Sequence, residues 1–353
     1  MRKLSYSLAI NEALHQVMEK DDRVFVLGQG VYNPWYVGNT MRGIDTRFGR
    51  ERVIDPPVSE NGMNGVVIGA ALAGMRPVVI HPRMDFMMMG AEQIVNEAAH
   101  WYYMFGGQIS VPLVIRAIIN RGGEQAAQHS QALQSMFAHV PGLKVVMPAT
   151  PYDAKGLLVA SIEDDNPVLY IDDRWLYDEE GYVPEELYRV PLGTGVICRE
   201  GQDVTIVATS YMVKESLRAA ERLAEEGIET EVIDPRTLKP LDVSLILESV
   251  AKTGRLVVVD AAWRTCGYAA EVIATVMENA FEFLKAPPHR VTLPDAPAPA
   301  SGTLEKAYYI GAGDVVNAVR RVLSFKQERL VAGTGHERAR RPPLIGNRQP
   351  PAD

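Results

Sequence analysis

Two side chains of this sequence have the type and the setting for acid–base chemistry. Glu60 lies in VSENG at 58–62, where it follows a buried strand and a Pro-rich turn. His129 lies in QHSQ at 128–131, just after a glycine-containing loop. Open parallel sheets collect ligands at the carboxyl ends of their strands, where such groups can move protons. The alternatives are a carboxylate that binds the backbone amides of a helix start and a histidine that only stabilises the fold.

The sequence contains none of the common catalytic motifs. It has no GxSxG, no GxxxxGK[ST] and no HExxH, and no GxGxxG follows a strand, which makes a nicotinamide-binding domain a weak rival. Cys198 and Cys266 are far apart and form no CxxC, so neither a disulfide framework nor a thiolate metal site is indicated. Phe86, within MDFMMM at 84–89, has the setting of an ordinary core aromatic, since methionines fill irregular gaps in a core.

The composition is that of a globular protein and argues against two kinds of partner. Hydrophobic residues make up 47% and charged residues 23% of the 353 residues, and the net charge is −8. An acidic balance argues against nucleic-acid binding, which needs clustered Lys and Arg. No apolar run approaches the roughly 20 residues of a membrane span, and the charged N-terminus is unlike a signal peptide. We therefore expect a cytoplasmic protein that does not enter a membrane.

Alternating strands and helices should position these residues. In the first half, strands are predicted over 24–27, 77–80, 112–117 and 144–147, and helices over 4–18, 62–74, 91–105 and 151–163. In the second half, strands are predicted over 204–208, 231–233, 255–260 and 290–293, and helices over 212–226, 243–252 and 267–284. A stretch without periodicity between Asp172 and Pro191 is the predicted linker. The prediction is an α/β protein of two domains, 1–185 and 186–325, each a mostly parallel sheet with flanking helices, and a disordered tail at 326–353.

Motifs along nearly the whole chain, from about residue 4 to 323, resemble one family. They include VSENG at 58–62, RPVV at 76–79, AQHSQ at 127–131, FAHVPGLKVVMPATPYDAKGLL at 137–158, GQDVTIVATS at 201–210 and VIDPRTLKPLD at 232–242. They look like the beta subunit of thiamine-diphosphate-dependent 2-oxoacid dehydrogenases of the pyruvate, branched-chain oxoacid and acetoin type. This subunit is similar to the middle and last domains of transketolase. The resemblance implies a pyrimidine-binding domain followed by a transketolase C-terminal-like domain.

The resemblance implies roles for five residues at the aminopyrimidine end of thiamine diphosphate. Glu60 matches the glutamate that hydrogen-bonds the pyrimidine ring, and a carboxylate in a dry cleft biases the tautomer of a neighbouring ring nitrogen. Phe86 matches the aromatic side chain packed on the pyrimidine face, and His129 matches the histidine near the reacting carbons. Gln29 and Val58 fall beside them as cofactor-binding positions.

The resemblance also implies a partner chain. Family enzymes hold the diphosphate and Mg²⁺ through a GDG-to-NN motif, and this sequence contains no GDG. An alpha subunit should therefore anchor that end of the cofactor, in an alpha2beta2 assembly that docks a lipoyl acyltransferase core. Carbonyl groups around Leu113, Ser161, Asp164 and Asn166 match positions that cradle potassium in several relatives, and hard cations favour such oxygens. A plain helix-to-strand turn is the alternative there.

The sequence departs from this family around the expected cleft. Gln29 stands where the family usually has an acid, in a chain of carboxylates whose other matching members are Glu60 and Glu92, and glutamine cannot ionise. IHPRM at 80–84 stands where dehydrogenase relatives usually read EFMTF, which adds His81 and Arg83 as cationic donors. Arg83 suits a carboxylate or a phosphate.

The loop before His129 departs from the family as well. Arg121 and Glu124 replace small residues there. With His81 and Arg83, Arg121 is therefore a candidate for substrate binding.

Three functional hypotheses remain at this point. In the first, the chain is the beta subunit of an enzyme that decarboxylates a 2-oxoacid and passes the acyl group to a lipoyl carrier. In the second, it is half of a split transketolase-like or acyloin-forming enzyme that transfers a two-carbon unit to an aldehyde or sugar phosphate. In the third, it is a non-catalytic homologue. Whole-chain similarity favours the first hypothesis and a cationic pocket favours the second, whereas the retention of Glu60, Phe86 and His129 argues against the third.

Overall fold

Two parallel-rich sheets organise residues 2–325, the part of the chain that the computed structural model describes. The strands are β1 Lys3–Ser5, β2 Val24–Gly28, β3 Val53–Ile54, β4 Arg76–His81, β5 Val114–Ile119, β6 Lys144–Val146, β7 Val168–Asp173, β8 Glu180–Tyr182, β9 Val196–Arg199, β10 Val204–Ala208, β11 Thr230–Asp234, β12 Thr237–Lys239, β13 Leu256–Trp263 and β14 His289–Leu293. The helices are α1 Tyr6–Lys20, α2 Pro34–Val37, α3 Ile44–Phe48, α4 Glu60–Leu72, α5 Met84–Met87, α6 His100–Met104, α7 Gln134–Ala138, α8 Pro151–Glu163, α9 Tyr211–Ala224, α10 Val243–Thr253, α11 Tyr268–Asn279, α12 Gly302–Tyr308 and α13 Ala312–Leu323, and a π-helical segment, Gln93–Ala99, precedes α6. Short 3-10 turns lie at Gly38–Met41, Met88–Gly90, Arg174–Leu176 and Phe281–Phe283. No helix in this part of the chain is long and apolar enough to cross a membrane. The tail predicted at 326–353 lies outside the described residues.

The first sheet has seven strands in the order β12-β6-β7-β5-β4-β2-β3. Its strands from β6 to β3 run parallel, and β12 pairs antiparallel with β6 at one edge. β2, β5 and β7 are buried along their whole length, which is typical of parallel strands covered by helices on both faces. The α/β fold predicted from the alternation of elements is confirmed.

The second sheet has five strands in the order β14-β13-β10-β11-β9, all parallel except β9. β12 follows β11 in the chain but joins the first sheet rather than the second. The two halves of the chain therefore share a sheet as well as a packed core. The boundary predicted between residues 185 and 186 falls between β8 and β9 and stays a prediction.

Two capped helices cover one face of the first sheet. α1 begins after Ser5, whose hydroxyl accepts a hydrogen bond from the backbone N–H of Leu8 at 3.3 Å. α8 begins at Pro151, where the Thr150 hydroxyl accepts the backbone N–H of Asp153 at 3.1 Å. Each cap satisfies a free amide of the first helical turn. The two helices pack against each other and hold the strands that lead to the functional site.

The linker predicted to begin at Asp172 is wrong at its start. Asp172 and Asp173 are the last residues of β7, which lies inside the first sheet between β6 and β5. Both carboxylates are buried and ion-paired, Asp172 with Arg116 at 2.7 Å and Asp173 with Arg121 at 2.6 Å. The lack of periodicity predicted a linker, but Asp172 and Asp173 are neutralised inside the sheet by arginines from distant positions in the chain.

Candidate active site

A cleft of about 480 Å³ opens at the carboxyl ends of β2, β3, β4 and β5. These strands are neighbours in the first sheet and run parallel, so the segments that leave them converge on one edge. Six residues predicted from the sequence line the cleft with four that were not: Gln29, Val58, Glu60, Arg83, Phe86 and His129, with Trp35, Tyr36, Pro82 and Gln125.

Glu60 is the first residue of α4 and its side chain is half-buried. Within residues 2–325, no hydrogen bond or ion pair engages its carboxylate. One free amide of the first helical turn has another partner, since the backbone N–H of Gly62 donates to the side-chain oxygen of Asn61 at 2.8 Å. The geometry therefore differs from that of a carboxylate committed to helix amides, and Glu60 is free to bind a ligand in the cleft.

Phe86 and His129 meet across the cleft. Their ring centroids are 5.2 Å apart and the ring planes stand at 87°, an edge-to-face arrangement. Phe86 is half-buried, whereas its neighbours Met84 and Met87 are fully buried in the core. Met84 and Met87 are thus core packing, as the composition of the segment indicates, whereas Met89 is exposed, and Phe86 lines the cleft.

Gln29 extends from the end of β2 into the cleft lining. Its side-chain nitrogen is buried and has no hydrogen-bond partner among the described residues. Buried donors are almost always paired, so this nitrogen is available to an acceptor in the cleft. Gly28, just before it, fits tightly, because a Cβ there would lie 2.6 Å from the carbonyl oxygen of Ile80. Val58 lies at the rim and is 78% exposed.

The two cationic candidates that follow β4 have different environments. His81 is 1% exposed, and its Nε2 lies 3.3 Å from the side-chain oxygen of Asn64. Burial lowers the pKa of His81 to about 4, so the ring is neutral near pH 7. His81 also lies outside the cleft lining. The expectation that it adds a cationic donor to the cleft is therefore wrong. Arg83 is 5% exposed and lines the cleft.

Arg121 is not part of the cleft lining. Its guanidinium binds Asp173 and lies 5.5 Å from the ring centre of Trp175. One of its nitrogens also lies 3.5 Å from the carbonyl oxygen of Ala261, in the second half of the chain. These contacts occupy the guanidinium inside the protein, where it can hold the loop before His129.

Glu124 ties the same loop to α12. Its carboxylate accepts the backbone N–H of Gly302 at 2.8 Å, and its own N–H lies 3.1 Å from the carboxylate of Glu305. Glu124 has a positive φ of 61°, which non-glycine residues rarely adopt. Arg121 and Glu124, which replace small residues of the family, thus attach the loop before His129 to the second half of the chain.

The residues predicted to cradle potassium lie together near the end of α8. The carbonyl of Leu113 accepts the first N–H of β7, and the carbonyl of Asp164 accepts a guanidinium nitrogen of Arg76 at 3.0 Å. Ser161 is buried, and the backbone N–H of Asn166 donates to the Asp164 carboxylate at 2.9 Å, as in a local turn. No group of three or more His, Cys, Asp or Glu among residues 2–325 could hold a metal ion. A carbonyl site for potassium stays a prediction.

Sequence reasoning missed the aromatic wall of the cleft. Trp35 and Tyr36 belong to α2, a short helix that the Asn33 side chain caps by accepting the N–H of Trp35 at 2.9 Å. Trp35 is 65% exposed. The Asn-Pro pair at 33–34 is a helix-start signal that could have indicated this helix, but its contact with the cleft depends on the path of the chain after β2.

The cleft fits the aminopyrimidine end of thiamine diphosphate. An aromatic ring needs a flat apolar neighbour, which Phe86 offers, and ring nitrogens need polar partners, which the free carboxylate of Glu60 and the unpaired amide of Gln29 offer. A histidine in contact with Phe86 can reach a group bound beside that ring. A parallel sheet that carries such a cleft at its carboxyl edge, followed by a second α/β unit, is the arrangement that the resemblance to the transketolase-like class implied.

Comparison with known proteins agrees with this class. The family model described as "Transketolase, pyrimidine binding domain" matches residues 2–178, and "Transketolase, C-terminal domain" matches residues 193–315. A solved structure of a split-gene transketolase, an inactive beta4 tetramer, superposes with a TM-score of 0.72 at 25% identity, over 91% of this chain and 98% of that one.

Curated relatives extend over nearly the full chain. The acetoin:2,6-dichlorophenolindophenol oxidoreductase subunit beta of Cupriavidus necator is 46% identical over 91% of this chain and 98% of its own length. The pyruvate dehydrogenase E1 component subunit beta of Rickettsia bellii is 42% identical over 90% and 98%. The 2-oxoisovalerate dehydrogenase subunit beta of Bacillus subtilis is 41% identical over 92% and 100%. The chain belongs to this family of beta subunits, as the resemblance implied.

Proposed function

We propose that this chain is the beta subunit of a thiamine-diphosphate-dependent enzyme that decarboxylates a 2-oxoacid and passes the acyl group to a lipoyl carrier. The observation that carries the proposal is the cleft in which the unengaged Glu60 carboxylate, Phe86 and His129 meet at the carboxyl edge of the first sheet. Full-length similarity to beta subunits of acetoin, pyruvate and 2-oxoisovalerate enzymes supports it.

Each cleft residue then has a defined task. Thiamine diphosphate, when bound, supplies the electron sink that makes cleavage of the bond next to the carbonyl feasible. Glu60 would bind a ring nitrogen of the aminopyrimidine and influence its protonation. Phe86 would hold the face of the ring, with Gln29 and Val58 as further cofactor-binding residues. His129 donates a hydrogen bond to the oxygen that gains charge, or moves a proton there.

The proposed enzyme works with an alpha subunit. The chain lacks GDG, so the alpha subunit holds Mg²⁺ and the diphosphate, in an alpha2beta2 assembly that docks a lipoyl acyltransferase core. A large apolar patch on the beta chain supports such a partner, because monomers rarely expose one. Tyr103 is 88%, Met104 56% and Phe105 44% exposed, beside a second, mainly apolar cleft of about 820 Å³. We place the enzyme in the cytoplasm, since Cys198 and Cys266 are free.

The relatives favour dehydrogenase chemistry over the split transferase. The three relatives described above are named as beta subunits of an oxidoreductase or dehydrogenases, at 41–46% identity, whereas the split transketolase is 25% identical. A non-catalytic role is disfavoured because Glu60, Phe86 and His129 are not only present but brought into one cleft.

Turnover of the purified chain, with and without a co-expressed alpha subunit, tests the proposal. The assay contains thiamine diphosphate, Mg²⁺, one of pyruvate, acetoin, 2-oxoisovalerate or 2-oxoglutarate, and either a dye oxidant or an aldehyde. We expect dye reduction that requires the alpha subunit, with or without stimulation by potassium. Ketol formation without an oxidant would replace the proposal by the split transferase. Silence with every donor in the intact complex would contradict an enzymatic role.

A further inference from the structure

Arg83 is a buried guanidinium with almost no partner of its own. It lines the cleft at 5% exposure, and the hydrogen bond that it makes within the described chain joins its Nη1 to the neighbouring carbonyl oxygen of Pro82 at 2.7 Å. Its Nε is buried and unpaired. A buried charge is costly unless it is paired and hydrogen-bonded, so this arrangement calls for an acceptor from outside the chain.

The chain pairs its other buried arginines. Arg116 binds Asp172 at 2.7 Å, and Arg121 binds Asp173 at 2.6 Å. Asp85 is the acid whose charge acts on Arg83, but its carboxylate accepts the backbone N–H of Gln131 at 3.1 Å, and among residues 2–325 it forms no ion pair with Arg83. Arg83 is therefore the exception among the buried arginines, and it is the one that lines the cleft.

A second cation strengthens the positive charge at this end of the cleft. Burial, and next the charge of Arg174, lower the pKa of Arg83. Arg174 leaves the end of β7 and binds neutral oxygens, which include the side-chain oxygen of Asn120 at 3.2 Å and the carbonyl of Trp35 at 2.5 Å. Within the described residues, no carboxylate pairs with either arginine. Two guanidinium groups that form no ion pair within the described residues make this end of the cleft a place for an anion.

We propose that Arg83 binds an anionic oxygen group, a carboxylate or a phosphate, at the end of the substrate distal to its reacting carbonyl. The dehydrogenase pattern EFMTF has threonine at this position, so the carboxylate that all 2-oxoacids share does not require the arginine. Arg83 thus selects substrates that carry a second negative charge. This inference rests on the proposed function, because it assigns the substrate class of the same cleft.

Matched substrate pairs test the inference in the complete complex with the alpha subunit. One pair is 2-oxoglutarate and 5-methyl-2-oxohexanoate, which share a skeleton but differ in the distal carboxylate, followed by dye reduction. The other pair is glyceraldehyde 3-phosphate and glyceraldehyde as acceptors, followed by ketol formation. We expect the wild type to favour the member with the distal negative charge in one pair, and the pair in which this preference appears identifies the group as a carboxylate or a phosphate. Arg83→Met should lower that kcat/KM ratio by roughly 10- to 100-fold, and Arg83→Lys by less, since lysine lacks the bidentate fork.

Two controls separate the possible failures. Arg222→Met makes the same change at an exposed position and should leave the ratio as in the wild type. A wild type that turns over the members without a distal charge as well as the members that carry one, in both pairs, would overturn the inference. So would a defect of Arg83→Met confined to assembly with the alpha subunit or to the KM for thiamine diphosphate, since Arg83 would then bind one of those instead.

A binding measurement keeps the inference testable without turnover. Calorimetric titration of the complex with glutarate and with glycerol 3-phosphate should show binding of one anion, weakened about tenfold or more by Arg83→Met. Equal affinity in both proteins, or no binding of either anion, would overturn the inference. Loss of all turnover with retained, Arg83-dependent anion binding would instead count against the proposed function alone.

Discussion

Burial lowers the pKa of two neighbouring residues at one strand end, but only the histidine loses its charge near pH 7, since the ordinary pKa of arginine is much higher. At the exit of β4, His81 faces the interior and is neutral, whereas Arg83, two residues later, keeps its charge at the cleft wall. Glu60 approaches from β3 with a carboxylate that no neighbour in the described chain binds. At the scale of single residues, the cleft combines one free acid, one unpaired cation and one histidine, which is a set that acts on a ligand rather than on the fold.

Glu60→Gln should separate catalysis from assembly. Glutamine keeps the size of the side chain and can hydrogen-bond, but it cannot hold a negative charge or share a proton with the aminopyrimidine. We expect kcat of the complex to fall by roughly 100- to 10,000-fold, while the amount of complex recovered with the alpha subunit stays the same. Steady-state kinetics and size-exclusion chromatography measure the two effects. The control is Glu51→Gln, the same change at an exposed position before β3. Turnover of Glu60→Gln at the wild-type rate would remove the central assignment.

The central strands of the first sheet carry a buried polar network. Arg116 on β5 and Asp172 on β7 are both 0% exposed, and the hydroxyl of Tyr177 donates to the same carboxylate at 2.6 Å. Burial acts to lower the pKa of Arg116, but the Asp172 carboxylate raises it above its usual range. The network locks β5 to β7, so it fixes the strand from which the His129 loop departs. At the scale of elements, the ion pair inside the sheet holds β5 and β7 in their relative positions, and with them the loop that leads to His129.

Asp172→Asn should destabilise the whole fold. It leaves the guanidinium of Arg116 buried without a counter-charge, and breaking a buried pair in this way costs about 3–5 kcal/mol. The matched change Asp165→Asn removes a pair with Arg76 in which the aspartate is 70% exposed, and it should cost less than about 1 kcal/mol. Denaturant unfolding at pH 7 measures both free energies of unfolding. Equal losses in the two variants would show that the buried network does not stabilise the sheet.

The two halves of the chain form the site together, although the described cleft lining comes from the first half. β12 completes the first sheet, and α12 holds the loop before His129 through Glu305 and Gly302. Arg121 adds a contact to Ala261 in the second half. At the scale of the molecule, the second half positions the loop of the first half that leads to His129, so movement between the halves would move His129.

Glu305→Ala should therefore lower activity from a distance. Its carboxylate is 8% exposed and accepts the N–H of Glu124, and its loss frees the loop that leads to His129. We expect kcat to fall by roughly 10- to 100-fold, as for other small misplacements of catalytic groups. Glu305→Gln keeps an acceptor oxygen and should recover most of the rate. If both variants lose the same activity while folding normally, charge rather than loop position is the cause.

The sequence alone determined the α/β class, the two-part organisation and the residues whose side chains could take part in chemistry. The spacing of apolar residues differs between helices and strands, so it indicates the type of each element. Glu60, Phe86 and His129 lie in segments that resemble the family, and this resemblance implies their roles. These patterns involve residues that are close in sequence, so they can be recognised without knowledge of the fold.

Tertiary structure alone decided which of the candidates share a cleft. It separated Arg83 from His81 and Arg121, whose burial and ion pairs depend on partners such as Asn64 and Asp173 that are distant in sequence. It also turned the acidic end of β7 from a predicted linker into a core strand. Burial and pairing are properties of the packed chain, because the free energy of a charge depends on its neighbours in space rather than in sequence.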